Sequence, residues 1–243
     1  MNSRLYTRYE ITRAFRNRAF FIFSFGFPLA LYFLIAGTNR HEHNFADTGV
    51  TAPVYYMAAL ASFGTMASMI STGGRIAGER QVGWTRQLRI SPLRPSSYFL
   101  AKLLTAYTMA LLSMGLLYVS GIALGVSLPA HTWLEMTVLI LIALLPFAAL
   151  GIFLGHLLSV DAVGPLNGGL ISLLALVSGT WFPVQGFLHD IGQFFPSYWL
   201  VQAGRVAEQG HSWSALGWSV VLGWTAALTV LAVFAYRRDT ERV

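Results

Sequence analysis

The sequence predicts an all-α membrane protein with six transmembrane helices, and three observations predict it. Hydrophobic residues make up 55% of the 243-residue chain and charged residues only 11%, with a mean hydropathy of +0.58. A soluble domain with a polar surface does not have that balance. The apolar residues gather into runs long enough to cross a hydrocarbon core of about 30 Å, which takes roughly 20 residues of helix. Lys and Arg fall almost entirely on one side of those runs.

Ser3 to Asn17 mixes Leu5, Tyr6, Tyr9 and Phe15 with arginines, which suits a helix lying in the headgroup layer. The first span is Phe20 to Ala36; AGTNRHEH follows it instead of a small-residue cleavage site, so it is expected to be retained. Val54 to Ser71, Tyr98 to Leu124, Trp133 to Leu158, Val163 to Phe182 and Ala215 to Tyr236 are the others. Only Ser159, Val160, Asp161 and Ala162 separate the fourth from the fifth, but one helix through both would exceed any bilayer.

Orientation follows from the cations, which cytoplasmic flanks retain during insertion. Arg4, Arg8, Arg13, Arg16 and Arg18 precede the first span. Arg75, Arg80, Arg86, Arg89, Arg94 and Lys102 border the second connector, and Arg237, Arg238 and Arg242 follow the last span. Only Arg40 and Arg205 lie opposite, so both termini are expected inside. The net charge of +6 then reflects topology and anionic lipid, and gives no reason to invoke nucleic acid.

The connector RIAGERQVGWTRQLRISPLRPSSYFLAK, Arg75 to Lys102, carries too much charge for lipid and is too short for a domain. On a helix, Arg75, Glu79, Val82, Arg86 and Arg89 share a stripe, with Ala77, Trp84 and Leu88 opposite. Trp84 and Leu88 could rest on the membrane or the bundle, and Pro92 and Pro95 would stop the helix. The charged stripe is either a docking surface or a solvated loop obeying the positive-inside rule.

The run GERQVGWTRQLRISPLRPSSYFLAKLL resembles the segment after the second span in permease subunits of type 2 ABC exporters, the family of bacterial drug, antibiotic and polysaccharide exporters. There an acidic and basic pair is followed by a glycine, a leucine, a proline and a lysine entering the third span; this chain has Glu79, Arg80, Gly83, Leu88, Pro92 and Lys102 in that order. The resemblance implies a coupling helix over about residues 75–96, seated on a separate ATP-hydrolysing subunit that holds ATP and Mg, with Arg86 and Arg89 among its contacts. A second stretch, SGTWFPVQGFLHDIGQFFPSYWLVQAGR, is similar to the family's fifth span followed by a short re-entrant hairpin over about 183–200. Gly179, Phe182, Pro183, Pro196 and Tyr198 are the counterparts, although Gln185, Gly186 and Phe187 stand where family members often carry a further proline. Phe187, Leu188, Ile191, Phe194 and Phe195 are apolar enough to dip into the outer leaflet, and Gly186 and Gly192 permit the turns.

Catalysis is tested against the residues themselves. Lys102 is the only lysine and SSYFLA precedes it, so no glycine-rich phosphate loop exists in this sequence, and the ATP hydrolysis that the resemblance implies is expected on another polypeptide. With no cysteine, disulfides and thiolate chemistry are excluded. An intramembrane hydrolase would need a Ser and His or two Asp within spans; His156 and Asp161 are the pair to weigh, and a helix-end structural role is favoured. HEH at 41–43 has no further His at ligand spacing, so no metal is expected. Glu135 either snorkels to headgroups or faces a polar cavity. Lys102 either reaches inner-leaflet phosphates or pairs with Glu79, and only the pairing predicts loss of transport on Lys102→Ala without loss of expression.

Six spans resemble half of a transport pathway, which implies a second permease chain, identical or related, in a bacterial cytoplasmic membrane. In the family the second and fifth spans border the route, here offering Tyr55, Tyr56, Met57, Thr65, Met66 and Met69 with Asn167, Ser172, Ser178 and Thr180. Methionines and aromatics beside few hydroxyls favour an amphipathic cargo such as a lipid, drug or polyketide, though they also serve ordinary packing. Gly168, Gly169 and Gly179 would allow close helix approach. The alternative is a secondary transporter, or a scaffold recruiting a soluble partner through the same loop.

Overall fold

The computed structural model describes residues 3–17, 21–39, 50–84, 87, 95–206 and 212–241. Those residues form helices without strands. In chain order they are α1 (Ser3–Phe15), a π-helical turn (Ile22–Gly26), α2 (Phe27–Thr38), α3 (Ala52–Ile70) and α4 (Thr72–Gln81). After them come α5 (Pro95–Ala123), α6 (Ala130–Ala143), α7 (Leu145–Leu157), α8 (Val160–Val177), α9 (Phe187–Gly192), α10 (Pro196–Gly204) and α11 (Ala215–Glu241).

Among the described residues, five helical stretches are long and apolar enough to cross a membrane: 52–81, 96–123, 130–157, 160–177 and 215–239. The expected first span falls on helical residues 21–38, of which Ser24–Thr38 forms an apolar helix; residues 18–20 lie outside the described residues. Within it, Pro28 has no N–H to offer the Ser24 carbonyl four residues back. The backbone loosens into the π turn there, and Ser113 Oγ on α5 donates to the Ser24 carbonyl at 3.2 Å. Pro146 similarly divides the expected fourth span into α6 and α7 at Leu144, where Tyr107 Oη donates to the Leu141 carbonyl at 2.9 Å. The expected fifth span, α8, begins at Val160 and ends at Val177, so the expected range to Phe182 runs past a chain reversal at Gly179, whose φ is +75°.

Helix α3 is the central post. Nearly every residue from Ala52 to Ile70 is buried, with α5, α2, α10 and α7 packed around it. Helix α4 continues α3 after a turn at Ser71 and packs on α7, while α11 lies along α7 on its other side. The close approach between these helices runs through Gly73, Gly151 and Gly155, not through Gly168 or Gly169, around which no heavy atom would meet an added Cβ within 4 Å. A Cβ on Gly151 would stand 2.6 Å from the Met69 carbonyl oxygen, and one on Gly155 would stand 2.8 Å from that of Gly73. Backbone cannot yield as a side chain tip can, so Gly151→Val is expected to destabilise the protein by about 1–3 kcal/mol. Gly169→Ala should be neutral or slightly stabilising. Thermal unfolding of the two variants in detergent checks the contrast.

Candidate coupling and cargo sites

Helix α1 presents Tyr6, Glu10 and Ala14, one turn apart, to α5 and buries all three. Its other faces leave Leu5, Tyr9 and Phe15 exposed. Glu10 thereby meets Lys102, whose side chain is 0% exposed, and Lys102 Nζ donates to Glu10 Oε2 at 2.6 Å. The same ammonium donates to Oε1 of Glu79, itself 1% exposed. Arg13 Nη1 donates to that oxygen at 2.9 Å, and Tyr98 Oη donates to Glu79 Oε2 at 3.2 Å. Two carboxylates and two cations in direct contact balance their charge, which burial demands. Burial and the nearby Glu10 and Glu79 push the Tyr6 phenol well above its ordinary pKa, so it stays neutral beside Tyr98.

Of the two positions weighed for Lys102, the chain adopts the pairing with Glu79, which joins α1, α4 and α5. Glu79 is correspondingly withdrawn from any surface, a correction to its place on an exposed docking stripe. The signal that was missed is Glu10, the one acid of α1, set at helical spacing between Tyr6 and Ala14.

Arg80 makes a second tie. Its Nε donates to Asp239 Oδ2 at 2.8 Å and its Nη2 lies 2.7 Å from Oδ1, a bidentate pair with the end of α11. Its Nη1 donates to the carbonyls of Gly155 at 3.1 Å and Leu158 at 3.0 Å, capping α7, whose last carbonyls have no partner within the helix. His156 Nδ1 is 3.1 Å from Asp239 Oδ2, and its ring packs on Tyr236 and Phe99. His156 therefore belongs to this tie, while Asp161 stands apart in the first turn of α8.

The expected single stripe from Arg75 to Arg89 is broken. Helix α4 ends at Gln81, and Gly83 takes a φ of +71°, the left-handed conformation that closes a helix. Val82 is exposed, and Trp84 packs against Tyr6, Tyr98 and Ala101 on the bundle. Arg86, Leu88, Arg89 and Pro92 lie outside the described residues, as does HEH at 41–43.

At the other end of α3, Arg205 closes α10 and is 6% exposed. Its guanidinium lies 4.3 Å from the centre of the Tyr55 ring. Its Nη2 donates to Tyr55 Oη at 2.5 Å and to the Gly179 carbonyl at 2.8 Å. Ser178 and Thr180 hydroxyls bond each other at 2.9 Å beside it. Arg205→Lys loses the planar fork and the ring stacking. It should cost about 1–3 kcal/mol, read as a lowered thermal midpoint in detergent.

Beyond Phe182 and Pro183, α9 and α10 form a short helical pair. Pro196 opens α10, where the missing N–H is harmless. Tyr198 Oη is 3.4 Å from His189 Nδ1, and Phe187 and Phe194 project outward.

Tyr55, Tyr56, Met57, Thr65, Met66 and Met69 all face the core, as do Ser178 and Thr180. Asn167 and Ser172 instead line a groove of about 830 Å³ between α1, α2, α3, α4 and α8. The face of α3 and α4 that reaches it carries Phe63, Ala67, Ser71 and Gly74, a helical stripe that sequence reading passed over for the methionines. Glu135, partly exposed on α6, takes no part in either tie or in this groove.

Residues 38–236 match the model of the family described as ABC-2 family transporter protein. The chain belongs to the ABC-2 transporter family. An ABC-2 permease is a multi-pass membrane protein and the transport subunit that works with an ABC-type ATP-binding partner. A relative in Bacillus subtilis (strain 168), "Putative transport permease YvfS", is 30% identical over 194 residues, covering 78% of each chain. The family match starts after α1 and stops short of Asp239, so the ties made by Glu10, Arg13 and Asp239 are features of this permease read from its own structure.

Proposed function

We propose that this permease is the membrane subunit of an ATP-driven exporter, with its arginine-rich end at the cytoplasmic face of a bacterial inner membrane and both termini inside. The observation that carries the reading is the double tie on α4. Glu79 binds Lys102 and the α1 residue Arg13, while Arg80 binds Asp239 of α11 and caps α7. A displacement of this one short helix is delivered to four others, because packed elements move as bodies.

A separate ATP-binding subunit holds ATP and Mg and docks on the connector over about 75–96, with Arg86, Leu88, Arg89 and Pro92 supplying contacts. Glu79, Arg80, Gly83 and Lys102 pass the movement on, and this chain itself performs no hydrolysis. A second permease chain completes the pathway between the second and fifth spans. The short pair α9 and α10 re-enters the outer leaflet, its exposed Phe187 and Phe194 meeting lipid. The cargo is amphipathic, a drug, antibiotic, lipid or polyketide-like molecule.

Co-purification tests the docking. The ATP-binding subunit should be retained by the wild-type permease and by Glu79→Gln, and lost from an Arg86→Glu, Arg89→Glu double variant. Retention of the subunit by that double variant would remove the connector from the interface.

A further inference from the structure

We infer that the cleft between α5, α7 and α11 holds one acyl chain of an anionic phospholipid from the inner leaflet, its phosphate set on Arg237. The inference goes beyond the exporter reading and rests on it only for placing the arginine-rich end of the bundle at the cytoplasmic face.

The cleft exists because its walls belong to two packing groups. Helix α5 packs on α3 and α1, whereas α11 lies along α7. Between them is a space of about 350 Å³, lined by Phe99 and Leu103 of α5, Ala148 and Ile152 of α7, and Thr229 and Val233 of α11. Small-molecule sites occupy roughly 300–1,000 Å³. Contacts close both ends: Tyr107 Oη donates to the Leu141 carbonyl at 2.9 Å towards the membrane centre, and the Phe99 ring stands 4.8 Å from that of Tyr236 towards the arginine-rich end. The side is open, with Leu100 and Val233 exposed on opposite rims. In a bilayer that opening meets hydrocarbon.

Length selects a chain of one leaflet. At 1.5 Å per residue, Thr225 to Val233 rises about 12 Å along α11, close to half of a hydrocarbon core of about 30 Å. Charge then selects the head. Helix α11 continues past the cleft, and Arg237 stands one turn beyond Val233 on the same stripe. Arg237 and Arg238 are exposed and form no ion pair among the described residues. Asp239, the acid beside them, is already held by Arg80 and His156. Across the cleft, the exposed Ser96 lies one turn before Leu100, in the first turn of α5, whose N–H groups have no partner within the helix. Cations at this level attract anionic lipid, and an apolar slot one leaflet deep beside them takes its chain. The bound lipid braces α5 against α7 and α11 next to the Arg80–Asp239 tie.

The test uses the whole chain in phosphatidylcholine nanodiscs, with a trace of phosphatidylglycerol or phosphatidylcholine carrying a diazirine midway along one acyl chain. Photolabelled residues are mapped by mass spectrometry of peptides. Phosphatidylglycerol is expected to label 99–103, 145–152 and 225–233 about fivefold more than phosphatidylcholine, the worth of one cation facing anionic lipid. Both lipids should label the exposed Val119 and Ile122 of α5 alike. Arg237→Gln should remove most of the preference, and Arg238→Gln, off the stripe, should leave most of it. Thr229→Phe, at an exposed position, should fill the cleft and cut labelling there by both lipids. Added phosphatidylglycerol should raise the thermal midpoint of the wild type and not that of Arg237→Gln.

Equal labelling of the cleft by the two lipids overturns the inference, as does a preference unchanged in Arg237→Gln. Labelling that Thr229→Phe leaves intact would put the chain elsewhere on the surface of the bundle and also overturn it. The two readings fail separately. Headgroup-selective labelling of the cleft in a permease that moves cargo without an ATP-binding subunit keeps the site and sinks the exporter. ATP-driven export by a permease whose cleft shows no headgroup selectivity keeps the exporter and sinks the site.

Discussion

Replacing Lys102 by methionine is expected to lower the stability of this permease by about 3–5 kcal/mol, because it leaves two buried carboxylates facing each other with one fewer cation. Methionine keeps the apolar stem and so isolates the charge. For a chain of this size the loss corresponds to a fall of roughly 10 °C in the thermal midpoint. Transport should fall with it, since Lys102 is the post to which Glu79 fastens α4 and Glu10 fastens α1. Glu79→Gln combined with Lys102→Met removes one charge of each sign and should recover a large part of the stability but not the coupling. Midpoints of the two variants in detergent, beside cargo export by each, separate folding from transmission. A Lys102→Met midpoint within a degree or two of wild type would mean the ammonium is not holding these helices.

Arg80→Ala should be nearly as severe, at about 2–3 kcal/mol. It removes a bidentate ion pair and two caps on carbonyls of α7 at once. Arg80→Lys keeps the charge without the fork and should recover less than half of that loss. The functional signature matters more than the midpoint: the ATP-binding subunit should still dock and hydrolyse ATP, while export per ATP drops, because α11 and α7 no longer follow α4. Asp239→Asn should reproduce the uncoupling from the other partner. Equal export per ATP in wild type and Arg80→Ala would remove this tie from the transmission path.

How much of this was legible in the sequence depends on where each cause lies along the chain. The presence of α5 and α11 was readable from their long apolar runs, although α5 begins before Tyr98, at Pro95, and α11 continues past Arg237 and Arg238 to Glu241. The π turn at Ile22–Gly26 was not, since it reflects Pro28 together with a serine on α5 that reaches the stranded carbonyl. The pairing of Glu79 with Lys102 was one of the two positions open to that lysine, but the burial of the pair was not legible, because Arg13 and Glu10, which complete it, are distant in sequence and leave no local pattern. On α3 almost every position is buried, so no amphipathic stripe marks which side meets the groove. The methionines and tyrosines that suggested a cargo lining are the packing of that central post. The helix end at Gly83 was legible in principle: a glycine after a basic turn is a common stop.

In the proposed mechanism, energy reaches this permease from a separate ATP-binding subunit through α4. Cargo movement across proteoliposomes, measured with and without that subunit and with either ATP or an ion gradient as the only energy source, tests this. Movement should require both the subunit and ATP; cargo moved by the permease alone under an ion gradient would refute it.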